Sequence, residues 1–149
     1  MPFYKLSIAS LLATTMFFGG CSREFKPGDI AGSYRGTNLG INSHGEFQNI
    51  NWAKFEASAN GTFKGTIGWS SDGTGPGHAS DGGHVAHGDT EEVLGLFNPK
   101  DGTFVFVENK EMGTAAGTLK SDGTLEILKT QPGERPMVSI AILKREDAK

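Results

Sequence analysis

Within short runs between residues 30 and 145, separated by Gly, Asn and Asp breaks, apolar and polar positions alternate with period two. Phe63, Gly65, Ile67 and Trp69 alternate with Thr62, Lys64, Thr66 and Gly68, and Val138, Ile140 and Ile142 alternate with Ser139 and Ala141. Period two is the spacing of a half-buried strand, because successive side chains leave a pleated backbone on opposite faces. No segment sustains helical spacing. The pattern predicts eight strands, over 30–37, 47–57, 62–69, 91–97, 103–108, 114–120, 124–129 and 137–145. The run Thr90-Glu91-Glu92-Val93-Leu94 also suits the opening of a short helix, so the fourth strand has an alternative.

The breaks between strands are of two kinds. Three share one phrase: Asn60-Gly61-Thr62-Phe63, Asp101-Gly102-Thr103-Phe104 and Asp122-Gly123-Thr124-Leu125. Asn-Gly and Asp-Gly supply the positive φ that a tight hairpin needs. These turns join strands two to three, four to five, and six to seven. In an up-and-down meander, alternate connections lie at the same end, so all three tight turns share one end. The other connections, 38–46, 70–90, 109–112 and 130–136, then gather at the opposite end. Long connections are uncommon in compact domains and are often functional. The loop-bearing rim is therefore the expected binding region, with Asn42, His44, Asn109, Lys110, Glu111, Gln131 and Arg135 as candidate contacts.

Eight consecutive antiparallel strands suit closure into a barrel, which removes sheet edges. Tyr34, Phe47, Phe55 and Phe63 are the expected core aromatics. Val93-Leu94-Gly95-Leu96-Phe97 and Phe104-Val105-Phe106-Val107 are apolar on both faces. They predict an outer apolar patch, a partner surface or self-association seam, unless a local element such as Phe25 covers it. The opening Gly32-Ser33-Tyr34, taken with Arg145 near the C-terminus, resembles the calycin pattern of lipocalins and avidins. In that pattern Gly-x-Trp begins the first strand and a late basic residue packs over the ring; here Tyr34 stands for the Trp. The resemblance implies an all-β, eight-stranded antiparallel up-and-down barrel with a ligand-holding mouth. It does not extend to biotin, because the tryptophan-rich ligand strands of avidins are not recognisable.

The N-terminal segment differs in kind. Lys5 precedes the apolar run from Leu6 to Phe18, and Gly19-Gly20-Cys21-Ser22 follows. The run is short of the roughly 20 residues a bilayer crossing needs and within the range of a signal peptide. The phrase ending at Cys21 resembles a bacterial lipoprotein lipobox, with Phe18 where the usual form has Leu. The resemblance implies a cleaved signal helix over 1–20, a lipidated Cys21 and linker over 21–29, and a barrel domain over 30–149. It also implies acyl chains such as palmitate inserted in the membrane. Ser22, not being acidic, points to the periplasmic face of the outer membrane. Cys21 is the only cysteine, so a lipidated chain has no structural disulfide.

The formal net charge is −3 and no basic tract occurs, which argues against nucleic-acid binding. Residues 70–89 hold His78, His84 and His87 with Asp72, Asp81 and Asp89, and His44 lies in the preceding long connection. Imidazoles with a carboxylate suit zinc or another divalent transition metal. Their spacing matches no specific metal signature, and a solvated loop is the plainer reading. Glu91 and Glu92 are expected on opposite faces of a strand, and Glu108 and Glu111 are expected to be solvated beside a turn. No nucleophile elbow, His-Glu-x-x-His, phosphate loop or calcium loop occurs, so catalysis is not expected. The expected function is that of a lipid-anchored envelope protein that binds a small ligand at its rim. The alternatives are an inhibitor or immunity-type protein with an envelope protein as partner, and a metal-binding histidine loop.

Overall fold

Eight antiparallel strands close into a barrel in the computed structural model, which describes residues 24–71, 78–79, 85–86, 89–110, 112–134 and 136–146. Cys21, Ser22 and the expected signal segment lie outside the described residues. A 3₁₀ turn, Pro27–Ile30, leads into β1 (Gly32–Asn42), β2 (Gly45–Ala57) and β3 (Thr62–Ser70). Two short strands, β4 (His78–Ala79) and β5 (Val85–Ala86), pair only with each other. The wall resumes with β6 (Asp89–Phe97), β7 (Thr103–Glu108), β8 (Thr114–Leu119), β9 (Leu125–Gln131) and β10 (Met137–Arg145). The order around the barrel is β1-β10-β9-β8-β7-β6-β3-β2. It is an up-and-down meander closed by β1 pairing with β10, from Tyr34 opposite Arg145 to Asn42 opposite Met137.

The strand prediction meets this wall closely, and residues 90–94 belong to β6 rather than to a helix. Two differences have clear causes. Ile30 is not in a strand, because Pro27 starts a 3₁₀ turn in which the Asp29 carboxylate accepts from Lys26 N at 3.0 Å. The expected long connection over 38–46 is almost entirely strand. Pairing between β1 and β2 runs without a break to Asn42 opposite Gly45, leaving Ser43 and His44 as a two-residue turn. Gly45 sits at φ 121, and His44 N donates to Asn42 Oδ1 at 2.8 Å.

The three tight turns do share one end, together with the start of β1 and the end of β10. Gly61, Gly102 and Gly123 have φ of 85, 75 and 85, a region open to glycine at little cost. The side chain before each glycine caps the turn. Thr62 N donates to Asn60 Oδ1 at 3.1 Å, Thr103 N to Asp101 Oδ1 at 2.9 Å, and Thr124 N to Asp122 Oδ1 at 2.9 Å. The repeated phrase is thus one hydrogen-bonded device used three times. It holds the Asp101 and Asp122 carboxyls below the ordinary aspartate range, chiefly through the Thr103 side chain and the Thr124 backbone.

Phe25 closes this end. Its N donates to Pro99 O at 3.1 Å, and its ring meets Phe97 edge-on with centroids 6.1 Å apart. The expected linker is therefore docked from Phe25 onward, and Phe25 caps the turn end rather than covering the outer wall. Above it, Phe55, Phe63, Phe104 and Phe106 fill the bore, with Phe55 and Phe63 centroids 5.0 Å apart. An eight-stranded barrel has room for little besides such side chains. Burial of each ring contributes about 1.5–3 kcal/mol. Of the expected core aromatics, Tyr34, Phe55 and Phe63 are buried and Phe47 is half-buried near the opposite end.

Candidate functional site

The inward-facing positions change character partway up the bore, strand after strand. On β7 they read Phe104, Phe106, Glu108, and on β9 Leu125, Ile127, Lys129. On β10, read from the turn end, they are Leu143, Ala141, Ser139; on β6 they run from Phe97 through Val93 to Glu91 and Asp89. On β1 and β2 the apolar Tyr34 and Phe55 give way to Asn38 and Asn51, and on β3 Phe63 and Ile67 are followed by Trp69. The half next to the tight turns is aromatic and aliphatic. The half next to the other connections is polar.

This polar layer is enclosed. Glu91, Glu108, Ser139 and Asn38 are all buried. The Glu108 side chain has no exposed area and pairs through Oε1 with Lys129 Nζ, itself largely buried. Lys129 Nζ also stands 4.9 Å from the centroid of the Trp69 ring on the facing wall, within cation–π range. Asn38 Oδ1 accepts from Asn49 N at 3.0 Å. Among the described residues, Glu108 Oε2 and Asn51 Oδ1 are buried with no hydrogen-bond partner. Such acceptors are costly to leave unmade, on the order of 1–3 kcal/mol each. Gly113 passes directly over the Glu108 carboxylate, so close that any side chain there would collide with it. Glu108 N also donates to Gly113 O at 2.9 Å, which sets the short β7–β8 connection across the mouth.

The expected rim contacts fare differently. Asn42 shapes its own turn through His44 N, and His44 is exposed at the hairpin tip. Asn109 is exposed; its N donates to Glu92 O at 2.9 Å and its Nδ2 to Glu92 Oε2 at 3.3 Å. Lys110 is exposed, and Gln131 is half-buried opposite Met137 at the end of β9. Glu111, Arg135, Asp72, Asp81, His84 and His87 lie outside the described residues. His78 belongs to β4, opposite Ala86, and Asp89 opens β6 opposite Trp69. Among the described residues, no three of His, Cys, Asp and Glu converge on a common point.

Glu91 and Glu92 do face opposite sides, the first buried and the second exposed. The expectation of a solvated Glu108 is overturned: it ends the inward series of β7, and the chain folds back over it at Gly113. Sequence reasoning missed the layer because it weighed rim residues by loop position. The signal was present in the inward phase itself, where Phe104-x-Phe106 leads to Glu108 and Leu125-x-Ile127 leads to Lys129.

At the opposite end, Arg145 lies over Tyr34, its guanidinium carbon 4.9 Å from the ring centroid. Tyr34 OH donates to Ile30 O at 2.9 Å. Burial is the main cause that pushes the Tyr34 phenol up to about 12, against the opposing pull of Arg145. This is the contact that the calycin resemblance implies for its late basic residue. No protein-family model matches the chain, and no curated protein matches it in sequence.

Proposed function

We propose that this chain is a lipid-anchored envelope protein that acts by binding, taking up a small ligand at the mouth of its barrel. The ligand is cationic and rich in hydrogen-bond donors. The supporting observation is the Glu108 carboxylate, whose Oε2 is buried and lacks a donor among the described residues. Two buried carboxylates, Glu91 and Glu108, share the layer with one ammonium, Lys129. The open Glu108 acceptor favours a donor-bearing, positively charged guest, and Asp89 opens β6 at the same end of the barrel. Asn51 Oδ1 offers a second acceptor, and the phenylalanine floor limits the ligand to the upper half of the bore. The barrel architecture and the Arg145–Tyr34 contact agree with a calycin-like binding scaffold. Anchoring at Cys21 on the periplasmic face of the outer membrane is part of the same proposal and rests on the lipobox resemblance.

A thermal-shift series with ammonium, methylamine, putrescine and guanidinium, set against neutral and anionic analogues, tests the binding reading. Cations should raise the Tm of the full chain, and Glu108→Gln should weaken that response at least tenfold. Asn51→Leu is the second variant, expected to weaken it in the same direction. Equal responses from wild type and both variants, or none from any cation, would refute the reading.

Zinc binding by the histidine-bearing connection is a second reading, supported by the β4–β5 pairing that sets residue 78 opposite residue 86. Calorimetric titration of zinc into wild type and His84→Ala/His87→Ala separates it from the first; equal, weak heats remove it.

A further inference from the structure

The polar layer already holds an ammonium of its own. Lys129 leaves β9 toward the bore, and its neighbours at the same level of the wall are the small Ala115 on β8 and Ser139 on β10. Its four-carbon stem carries Nζ to two groups on other strands. One is Oε1 of Glu108 on β7; the other is the face of Trp69 on β3, with the ring centroid 4.9 Å away. A carboxylate oxygen and an indole face both recognise an alkylammonium, the first by a charge-assisted hydrogen bond and the second by cation–π attraction. One Nζ does not exhaust them. Among the described residues Glu108 Oε2 has no donor, although the Glu108 side chain has no exposed area. As a stabilising device the pair brings little, since packed aliphatic side chains of like volume often serve a core as well or better. The Lys129 side chain is 11% exposed, and β9 ends two residues further on at Gln131, so a flexible lysine stem has a short way to the mouth.

We infer that Lys129 is a tethered occupant of the binding site. Its ammonium fills a seat built by Glu108 and Trp69, and a guest takes that seat while the Lys129 head group withdraws to the mouth. Given the reading of the mouth as a cation site, on which this assignment rests, the guest is a primary alkylammonium, because that is the head group the seat already fits. The exchange keeps the buried carboxylate paired throughout. Without a guest Lys129 answers Glu108; with one, the guest does, and Lys129 meets water. An unpaired Glu108 charge in the bore, the costly state, is avoided in both. The tether also sets the affinity. It holds one ammonium beside Glu108 at a high effective concentration, against which every free ammonium competes. The wild-type site therefore binds weakly and releases readily.

The test is calorimetric titration of the full chain with propylammonium, which reproduces the Lys129 side chain beyond Cβ. Lys129→Ala should bind it at least tenfold more tightly than the wild type, with a fluorescence change that is absent from Lys129→Ala/Trp69→Phe. Propanol, uncharged and of the same length, should not bind. Lys129→Ala/Glu108→Gln should lose the gain. Lys129→Gln, whose amide still donates to Glu108, should bind at least threefold more tightly than the wild type and carries the test if Lys129→Ala does not fold. Wild-type binding that neither Lys129 variant improves overturns the inference and leaves the cation reading of the mouth intact. A silent wild type beside a responsive Lys129→Ala or Lys129→Gln overturns that cation reading and keeps Lys129 as the occupant of the seat. Silence in all three overturns both.

Discussion

Arg145 and Tyr34 join the last strand to the first: the Arg145 Nη2 donates to the Tyr34 hydroxyl at 2.6 Å while the guanidinium covers the ring. The same head group donates to the carbonyls of Ala31 and Asp29. One side chain thus ties the 3₁₀ turn, β1 and β10 at the seam where the barrel closes. Hydrogen bonds made by a charged donor contribute about 1.5–3 kcal/mol. Arg145→Ala should therefore lower unfolding stability by about 2–3 kcal/mol in urea titrations. Arg145→Lys should recover little of it, because a single ammonium nitrogen cannot span acceptors on three separate residues as the planar guanidinium fork does. Full recovery by lysine would show that charge alone matters there.

Tyr34 should resist ionisation. Its folded value is raised to about 12 from 10.0, with burial as the leading cause. The folded state therefore holds the proton more tightly than the unfolded state. The sign follows: this contribution to stability is complete below pH 10 and is lost as pH rises from there through about 12. Ultraviolet titration of the phenolate should show a late transition that vanishes in Tyr34→Phe. A tyrosine that ionises near 10 in the folded chain would contradict the burial argument.

Lys129 and Glu108 should behave as a unit. Removing one partner strands the other as a buried charge, so Lys129→Met should cost about 3–5 kcal/mol. The double replacement Lys129→Met/Glu108→Leu should cost clearly less than the sum of the singles. Additive losses in a double-mutant cycle would mean that the pair is not coupled. Trp69 fluorescence should also change in Lys129→Met, because the ammonium leaves its ring face.

The acid limb of the stability curve should trace to the turn end. Thr103 and Thr124 hold the Asp101 and Asp122 carboxyls below their usual value of 3.8. Depressed folded values give stability that is present above the unfolded pKa and lost as pH falls through the folded one. Asp101→Asn/Asp122→Asn should therefore flatten the decline below pH 4 in urea unfolding followed across pH. An unchanged slope would place the acid sensitivity elsewhere.

The wall of this barrel was largely legible in advance because its signals are local. Alternation placed β7 and β10 to the residue, and the Asn/Asp-Gly-Thr phrase marked three turns and the pole they share. The interior polar layer was not legible in the same way. Glu108 lies next to a loop in sequence and beneath one in space, and only the fold-back at Gly113 distinguishes the two. The β1–β2 hairpin was missed because its inward positions are Asn38, Gly40 and Asn42, residues typical of turns, while the apolar Leu39 and Ile41 face outward, so a strand resembled a loop. The exposed apolar positions of the outer wall were half seen. Leu94, Leu96, Val105 and Val107 stand in doubly apolar strands, but Leu128, Ile140 and Leu39 join them only through cross-strand register.

Phe25 sets the length of the leash. Its ring is seated against Phe97 and its amide is bonded to Pro99. Only four residue steps separate it from Cys21, a span of at most about 14 Å. A load carried at residue 21 would thus be kept within that short reach of one pole, so a chain moored there would have little room to roam from its support.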